Sequence, residues 1–273
     1  MNKRFLFITV VVVSLLAIFL ILGNRVRNAP INLSYELKNE VPLMGGWKRY
    51  NLPNVNELSG LCISHDGSHL WGVGDEGTIY NISYAGIAKI HWHNDSDMEG
   101  ITLNPVNGDM YLAIEGEQKI SLVPAPAYNN CHDLWYVQEA VDENYDNSGL
   151  EGITWYKENQ LYIGSQTDAK LWTYNLDGTL NSVKSLMDIV PEITEIADLW
   201  YDSVYDMLWV IDSNLYKMFL FDGAATRYIA SYDISKLTQD NPESVCVDHN
   251  NNCVWIADDA DESILYKIEF IWR

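Results

Sequence analysis

The sequence predicts an all-β fold, a five-bladed β-propeller preceded by one N-terminal transmembrane helix, with a six-bladed ring as the alternative. Three observations predict it: a strand motif that recurs five times, turn residues after each copy, and one long apolar segment at the start of the chain. The copies begin at residues 59, 99, 151, 197 and 243, and their starts are therefore 40, 52, 46 and 46 residues apart. This spacing suits one four-stranded blade for each copy.

Each copy begins with a small or acidic residue and a turn-tolerant residue, followed by a short apolar strand. The five copies read Ser59-Gly60-Leu61-Cys62, Glu99-Gly100-Ile101-Thr102, Glu151-Gly152-Ile153-Thr154, Ala197-Asp198-Leu199-Trp200 and Glu243-Ser244-Val245-Cys246. Turn residues such as Asp66-Gly67 and Asn107-Gly108 then lead to an aromatic residue that opens a second strand. A third strand is predicted in every copy, over residues 78–82, 119–123, 170–174, 216–221 and 264–270. One such sheet cannot bury both of its faces alone, so the blades are expected to stack around an axis.

The two ends of the ring are expected to meet in one blade. The chain stops at Arg273, directly after the third strand of the fifth copy, so that a fourth strand is missing there. Residues 32–52 precede the first copy and contain two stretches with strand character, 33–37 and 47–50. We expect one of these stretches to complete the fifth blade and leave no open sheet edge.

Residues 5–23 form an uncharged apolar segment, flanked by Lys3 and Arg4 on one side and by Arg25 and Arg27 on the other. The segment is long enough to span a bilayer, and it lacks the small-residue cleavage site of a secretory signal peptide. We predict an uncleaved membrane anchor in residues 1–28 and a propeller domain in residues 29–273. The usual orientation places the domain on the extracytoplasmic (periplasmic) side of the cell envelope. A buried helix of a soluble protein is the alternative, which the length disfavours.

The domain that follows this segment is strongly acidic. Four of the 17 basic residues flank the apolar segment, which leaves 13 basic residues against 38 acidic ones, a difference of −25. Nucleic acid is therefore not an expected partner, because phosphate binding needs a basic patch. The acidic residues either keep an envelope protein soluble or converge on a cation.

The repeat places carboxylates at equivalent positions on the inner strands. Glu99, Glu151 and Glu243 open copies two, three and five. In copies one and four an acid lies two residues earlier, Glu57 and Glu195, which strand periodicity puts on the same face. Carboxylates gathered near one axis repel one another, and a hard divalent ion with oxygen ligands relieves that repulsion. The sequence therefore predicts a Ca²⁺ site formed by these five glutamates, with hydrogen bonds to neighbouring backbone amides as the alternative role.

A second group of polar residues follows the second strand of each blade. We expect it near a channel mouth, or, as the alternative, in solvent-exposed turns. Its members are Asp75, Glu76, Glu115, Glu117, Gln166, Asp168, Asp212, Ser213, Asp258 and Asp259.

The histidines and cysteines give weaker signals. His91 and His93 have the spacing of two ligands on one strand face, but no third ligand is evident, and a polar strand face is the preferred interpretation. Cys62 and Cys246 share one strand position and are expected to be buried free thiols. Cys246 and Cys253 are expected to be diagonal neighbours, about 7–8 Å apart and too distant for a relaxed disulfide.

The motifs together resemble the SdiA-regulated family of YjiK-like envelope proteins over about residues 45–270. The motifs are Glu-Leu-Ser-Gly-Leu, Asp-Met-Glu-Gly-Ile, Gly-Leu-Glu-Gly-Ile, Ile-Ala-Asp-Leu and Pro-Glu-Ser-Val, in that order. Ala197 stands where serine is usual in that family. The resemblance implies a five-bladed propeller that is distantly related to NHL-repeat propellers and holds a calcium ion. It implies no settled activity.

Two functional classes follow from this interpretation. In the preferred one, the domain is a calcium-binding module that recognises a small molecule, a glycan or an envelope protein on a propeller face. In the alternative, it is a calcium-dependent hydrolase of lactone or ester type, in which the metal polarises a carbonyl or activates water. The candidate bases for that reaction are Glu57, Glu195 and His65.

Overall fold

The computed structural model describes residues 41–143, 148–238 and 240–272. In these residues, twenty strands form five four-stranded antiparallel sheets, which confirms the five-bladed propeller and not the six-bladed alternative. The predicted transmembrane segment 5–23 and the stretch 33–37 lie outside the described residues. None of the helices within the described ranges has the length and apolar character needed to cross a membrane.

Each of the first four blades runs from its inner to its outer strand in chain order. Blade one contains β2 (Leu58–Ile63), β3 (Leu70–Gly74), β4 (Thr78–Ile82) and β5 (Ala88–His93). Blade two contains β6 (Met98–Leu103), β7 (Met110–Ile114), β8 (Lys119–Val123) and β9 (His132–Tyr136). Blade three contains β10 (Leu150–Tyr156), β11 (Gln160–Ser165), β12 (Lys170–Asn175) and β13 (Leu180–Ser185), and follows a short helix α1 (Gln138–Glu143). Blade four contains β14 (Asp198–Asp202), β15 (Met207–Asp212), β16 (Lys217–Asp222) and β17 (Tyr228–Asp233).

Blade five joins the two ends of the described chain. It contains β18 (Asn241–Asp248), β19 (Cys253–Asp259), β20 (Ile264–Ile271) and, on the outside, β1 (Leu43–Asn51). β1 pairs antiparallel with β20, and Tyr50 lies opposite Leu265. The predicted closure is therefore confirmed, with the stretch at residues 47–50 as the closing strand. The five predicted third strands agree with β4, β8, β12, β16 and β20 to within one residue at each end.

The apolar core lies between blades. Five clusters of buried side chains occur among the described residues, one between each pair of neighbouring blades, including blades five and one. The aromatic residues that open the second strands are all buried in these clusters: Trp71, Tyr111, Tyr162, Trp209 and Trp255. Each blade therefore covers a face of its neighbour, which is why the repeated sequence needs the closed ring.

The inner strands of neighbouring blades approach one another closely, and glycine permits this approach. A Cβ atom on Gly60 would lie 2.9 Å from the carbonyl oxygen of Glu99, and one on Gly100 would lie 2.5 Å from the carbonyl oxygen of Glu151. Blade four has Asp198 in the glycine position instead. Its buried carboxylate accepts a hydrogen bond of 2.7 Å from the backbone N–H of Val245 in blade five. This acid therefore connects two blades and is not part of the acidic cluster described below.

Candidate metal centre

The first residue of each repeat lies at the beginning of an inner strand, at one end of the propeller. In four blades the pairing with the second strand shifts register at this point, which marks a β-bulge. A bulge interrupts the ladder and re-aims the side chain that it carries. The residues concerned are Ser59, Glu99, Glu151 and Glu243, and all four are buried.

The structure brings Glu99, Glu151 and Glu243 into one electrostatic environment. Burial raises the pKa of Glu151 well above its usual range, and the charges of Glu99, Glu115 and Glu243 raise it further. Burial likewise raises the pKa of Glu99, followed by the charges of its neighbours. For Glu243, burial and the nearby charge of Asp259 raise the pKa to about 8. Carboxylates from blades two, three and five therefore destabilise one another's ionised forms.

The tightest group in this region belongs to blade two. One carboxylate oxygen from each of Asp97, Glu99 and Glu115 lies within 4.8 Å of the other two. Asp97 directly precedes β6 and is half-buried, whereas Glu99 and Glu115 are buried. Glu115 also accepts a 2.9 Å hydrogen bond from the backbone N–H of Gly149, and burial raises its pKa to about 7. Three carboxylate oxygens that carry negative charge and lie so close together form a candidate cation site.

Asp97 was not among the five glutamates predicted from the sequence, although a signal for it exists. It lies two residues before the first position of its copy, which is the spacing of Glu57 and Glu195 in copies one and four. The five predicted glutamates include this position only in the copies whose first residue is not acidic. Applied to every copy, it would have included Asp97.

Two acids of the second polar group complete the cluster. Asp75 follows β3 in blade one, and Asp259 is the last residue of β19 in blade five. Each has a buried Oδ1 atom without a hydrogen-bond partner among the described residues. Burial raises the pKa of Asp75 to about 7, with the charges of Glu57 and Asp259 as the next causes. Two carboxylate oxygens without partners in an acidic cluster are the kind of atom that a bound cation satisfies.

Three other members of the second group have structural contacts, and two of them, Asp212 and Asp258, are buried and thus do not lie in the solvent-exposed turns of the alternative interpretation. Asp212 accepts a 2.7 Å hydrogen bond from the backbone N–H of Thr194, and Asp258 accepts one of 3.0 Å from the hydroxyl of Tyr266. Glu117 forms an ion pair of 2.8 Å with Lys119. Only part of the group therefore faces the cluster.

Glu57 and Glu195 differ in their surroundings. Glu57 is half-buried and has a positive φ of 48°. Its negative charge helps to raise the pKa values of Asp75 and Asp259. Glu195 is buried, and its charge helps to raise the pKa of Glu243, but both of its oxygens accept hydrogen bonds. The backbone N–H of Asn214 donates to Oε1 at 2.9 Å and its side-chain amide donates to Oε2 at 2.5 Å. Within the described residues no hydrogen bond engages the carboxylate of Glu57, whereas the oxygens of Glu195 are engaged by blade four.

His65 lies at the other end of the propeller, so its assignment as a candidate base beside a metal was wrong. β2 begins next to the acidic cluster at Leu58 and ends at Ile63, two residues before His65. At about 3.3 Å per residue, the strand separates the two sites by about 17 Å. The ring of His65 instead contacts the carbonyl oxygen of Pro105 at 3.2 Å.

The remaining histidine and cysteine expectations are confirmed. His93 contacts the hydroxyl of Thr78 at 3.0 Å and His91 contacts the carbonyl oxygen of Ala127 at 3.2 Å, and both rings are exposed, as expected of a polar strand face. Cys62 and Cys246 are buried, and all four cysteines are free thiols. Cys246 pairs with Trp255 across the hairpin, which makes it a diagonal neighbour of Cys253.

The donor set of the cluster fits a hard divalent cation. All of its members are carboxylates, and Ca²⁺ prefers six to eight oxygen ligands of this kind. Burial, followed by the charges of neighbouring carboxylates, raises the pKa values of Glu99, Glu151 and Glu243, and a bound divalent cation would oppose both effects. Asp97, Glu99 and Glu115 would hold such an ion, with Glu151, which is hydrogen-bonded to Glu115, and Asp75, whose charge acts on Glu99, as further oxygen donors.

We expect the stability of the chelated protein to fall as the pH rises from about 5 to about 8.5. The folded-state pKa values of Asp75, Glu115 and Glu243 are raised to about 7, 7 and 8, above those of the unfolded chain near 4. Such groups contribute stability that is fully present below the unfolded pKa and is lost as the pH rises through the folded pKa. Thermal melts in chelator and in saturating calcium measure this dependence. The chelated curve should decline over this range more steeply than the calcium curve, and a chelated melting temperature that rises with pH would contradict the assignment.

Comparisons with known proteins agree with this fold. The model of the SdiA-regulated family matches residues 49–260 of the chain. A glutaminyl cyclase of Myxococcus xanthus has 14% identity and a TM-score of 0.63, over 85% of this chain and 97% of that one. A luciferin-regenerating enzyme has 11% identity and a TM-score of 0.56, over 82% and 95% of the two chains. A chain of a nidogen/laminin complex has 17% identity and a TM-score of 0.50, over 78% and 84%. At these identities the likeness shows the fold alone, and a comparison with curated proteins gave no match.

Proposed function

We propose that this chain, which belongs to the SdiA-regulated family, is a calcium-binding β-propeller that recognises a ligand or protein partner at the cell envelope. The observation that carries the proposal is the approach of the Asp97, Glu99 and Glu115 carboxylates to within 4.8 Å of one another. The unpartnered Oδ1 atoms of Asp75 and Asp259 support it. Asp75 and Asp259 belong to blades one and five, so a bound ion would also offset the repulsion between neighbouring blades.

The proposed location rests on the sequence. The apolar segment 5–23 would anchor residues 1–28 in a membrane, with the acidic propeller on the extracytoplasmic side. Calcium is available to an extracytoplasmic domain at concentrations that suit weak sites. An ion that binds only the folded chain stabilises it in proportion to the logarithm of the free calcium concentration.

Calcium titration of the full-length chain, purified in detergent and stripped with chelator, tests the metal proposal. We expect saturable calcium binding with a weaker response to magnesium, because a cluster of flexible carboxylates suits the larger ion. Calcium at 100 times its dissociation constant should stabilise the fold by about 2.7 kcal/mol. For a domain of this size, that corresponds to a rise in melting temperature of roughly 5–10 °C.

Asp97→Asn and Asp95→Asn form the matched pair for this titration. Asp97 belongs to the tight group, whereas Asp95 is exposed and its carboxylate lies 3.7 Å from the ring of His93. We expect Asp97→Asn to weaken calcium binding at least about tenfold, equivalent to about 1.4 kcal/mol, and Asp95→Asn to bind as the wild type does. Equal affinities for the two variants, or no calcium-dependent heat in the wild type, would refute the site.

The hydrolase alternative needs a base beside the ion. Of the three candidates from the sequence, His65 lies at the opposite end and Glu195 is hydrogen-bonded through both oxygens. Of the three, Glu57 lies near the cluster, where it would act as the base for a metal-bound water. If the protein hydrolyses lactone or ester substrates only with calcium, and Asp97→Asn loses this activity, the hydrolase is the correct function and not the recognition module.

A further inference from the structure

A cavity of about 650 Å³ opens at the end of the propeller opposite the acidic cluster. It lies where the inner strands of blades one to four end and turn into their second strands. Its lining includes Cys62, Thr102, Thr154 and Trp200, which occupy the same position in the first four repeats. The volume lies within the range of small-molecule sites, about 300–1,000 Å³.

Aromatic side chains form much of the cavity wall. Trp155 and Trp200 are half-buried and line it together with Tyr156 and Tyr201. Trp200 also packs against the apolar clusters between blades four and five, five and one, and one and two, so its indole is held across the centre of the ring. Neither indole N–H donates to another residue in the part of the chain that the structure describes. The wall therefore offers fixed apolar ring faces together with available donors.

Two buried hydroxyls add further donors. The oxygen of Thr102 accepts a 2.9 Å hydrogen bond from the backbone N–H of Trp155, and that of Thr154 accepts one of 3.0 Å from Tyr201. Each bond links one blade to the next and fixes the hydroxyl. Thr102 is 3% exposed and Thr154 is 2% exposed, and neither hydroxyl proton has an acceptor among the described residues. Buried donors of this kind are normally satisfied, and a molecule in the cavity that carries acceptor oxygens would satisfy them.

The lysine in the wall is already neutralised. The Lys157 ammonium forms an ion pair of 2.5 Å with Asp206, and the hydroxyl of Tyr201 donates to the same carboxylate at 2.9 Å. Glu158 lies exposed at the rim. Lys157 is the one lysine or arginine among the lining residues, so the cavity presents no unpaired lysine or arginine to a phosphate or carboxylate. Its chemistry favours an uncharged ligand that combines an apolar face with several oxygen acceptors.

We propose that this cavity binds a neutral saccharide of one or two units. The C–H face of a sugar ring would pack on the indoles of Trp155 and Trp200, and its hydroxyl and ring oxygens would accept hydrogen bonds from Thr102 and Thr154. A sugar satisfies both features at once, whereas a flat aromatic molecule leaves most of the donors without acceptors. The inference deepens the recognition role proposed above, and it does not depend on the calcium site.

Calorimetric titration of the full-length chain with neutral disaccharides tests this assignment. The probes are cellobiose, maltose, lactose and chitobiose, with glucose 6-phosphate as the charged probe and 1,4-naphthoquinone as the flat aromatic one. We expect at least one neutral disaccharide to bind with a dissociation constant of about 1 mM or tighter. Trp155→Ala should weaken it at least about tenfold, and Trp47→Ala, which changes an exposed tryptophan on β1, should leave it unchanged.

Oxidation by N-bromosuccinimide gives a second readout that needs no variant. The bound disaccharide should protect Trp155 from oxidation, as measured by mass spectrometry, while exposed Trp47 reacts equally with and without sugar. The assignment is overturned if no disaccharide binds, if only the quinone or the phosphate binds, or if the sugar leaves Trp155 unprotected. Calcium affinity measured in the same preparations separates this outcome from a failure of the metal proposal.

Discussion

Gly100→Ala is expected to lower the free energy of unfolding by about 3 kcal/mol, at the upper end of the usual cost of overpacking. The new Cβ atom would lie 2.5 Å from the carbonyl oxygen of Glu151 and 2.8 Å from the backbone nitrogen of Ile153. Both atoms belong to the backbone of the next blade, so no side chain can rotate away, and the two inner strands must separate. For a domain of this size, the melting temperature should fall by roughly 6–12 °C.

Gly46→Ala is the matched control, because it adds the same methyl group to β1 at the outer edge of blade five. The nearest atom to its Cβ would be the flexible carboxylate oxygen Oε2 of Glu269, at 3.6 Å. We expect a change within about 0.5 kcal/mol. Thermal melts of both variants in saturating calcium measure the difference. If Gly100→Ala has the same melting temperature as the wild type, the inner strands do not pack as closely as described.

Glu99→Gln is expected to change stability in opposite directions with and without calcium. In chelator, the amide removes a buried carboxylate whose ionised form is disfavoured by burial and by the charges of Glu115 and Asp97, so the melting temperature at pH 8 should rise. In saturating calcium, the same change removes a ligand, so the calcium-induced increase should shrink. We expect calcium affinity to fall at least about tenfold.

Glu76→Gln provides the control for this crossover. Glu76 is exposed and directly follows Asp75, so the variant changes the net charge by the same amount near the same end of the propeller. It should follow the wild type both in chelator and in calcium. If Glu99→Gln destabilises the chelated protein, the carboxylate of Glu99 has a structural hydrogen-bonding role and is not held there against repulsion.

The fold could be predicted from the sequence because each repeat carries its own strand and turn signals, and because closure follows from counting strands. The prediction that one of the stretches 33–37 and 47–50 would complete blade five needed no knowledge of side-chain contacts, and the pairing of β1 with β20 identifies the second stretch as the closing one. Repeats of this kind depend on their neighbours for burial, so five copies already imply a ring. The membrane anchor in residues 1–28 stays a prediction, since it lies outside the described residues.

The acidic cluster could be predicted only in part. Rotational symmetry places Glu99, Glu151 and Glu243 at one end, but it does not show which carboxylate oxygens are free. Glu195 is engaged by Asn214, nineteen residues away, whereas Asp75 and Asp259 each keep an oxygen without a partner in the described parts of the chain. Such differences arise from loops that are not repeated, and a repeat pattern carries no information about them.

The cavity was not predicted, because its wall comes from four hairpins that are adjacent only in the folded ring. The contact of Thr102 with Trp155 joins residues 53 positions apart, and that of Thr154 with Tyr201 joins residues 47 positions apart. The shared repeat position holds cysteine, threonine, threonine and tryptophan in the first four copies, a mixture that does not point to one binding site. Their common orientation becomes evident only once the blades are closed.

A crystal structure of the protein grown with calcium, with anomalous scattering used to locate the ion, tests the central claim most directly. The account predicts an ion bound by carboxylate oxygens of Asp97, Glu99 and Glu115 at about 2.3–2.6 Å, the usual calcium–oxygen distance. The contradicting result is an ordered calcium elsewhere, or none, with these three carboxyl groups hydrogen-bonded to one another or turned apart.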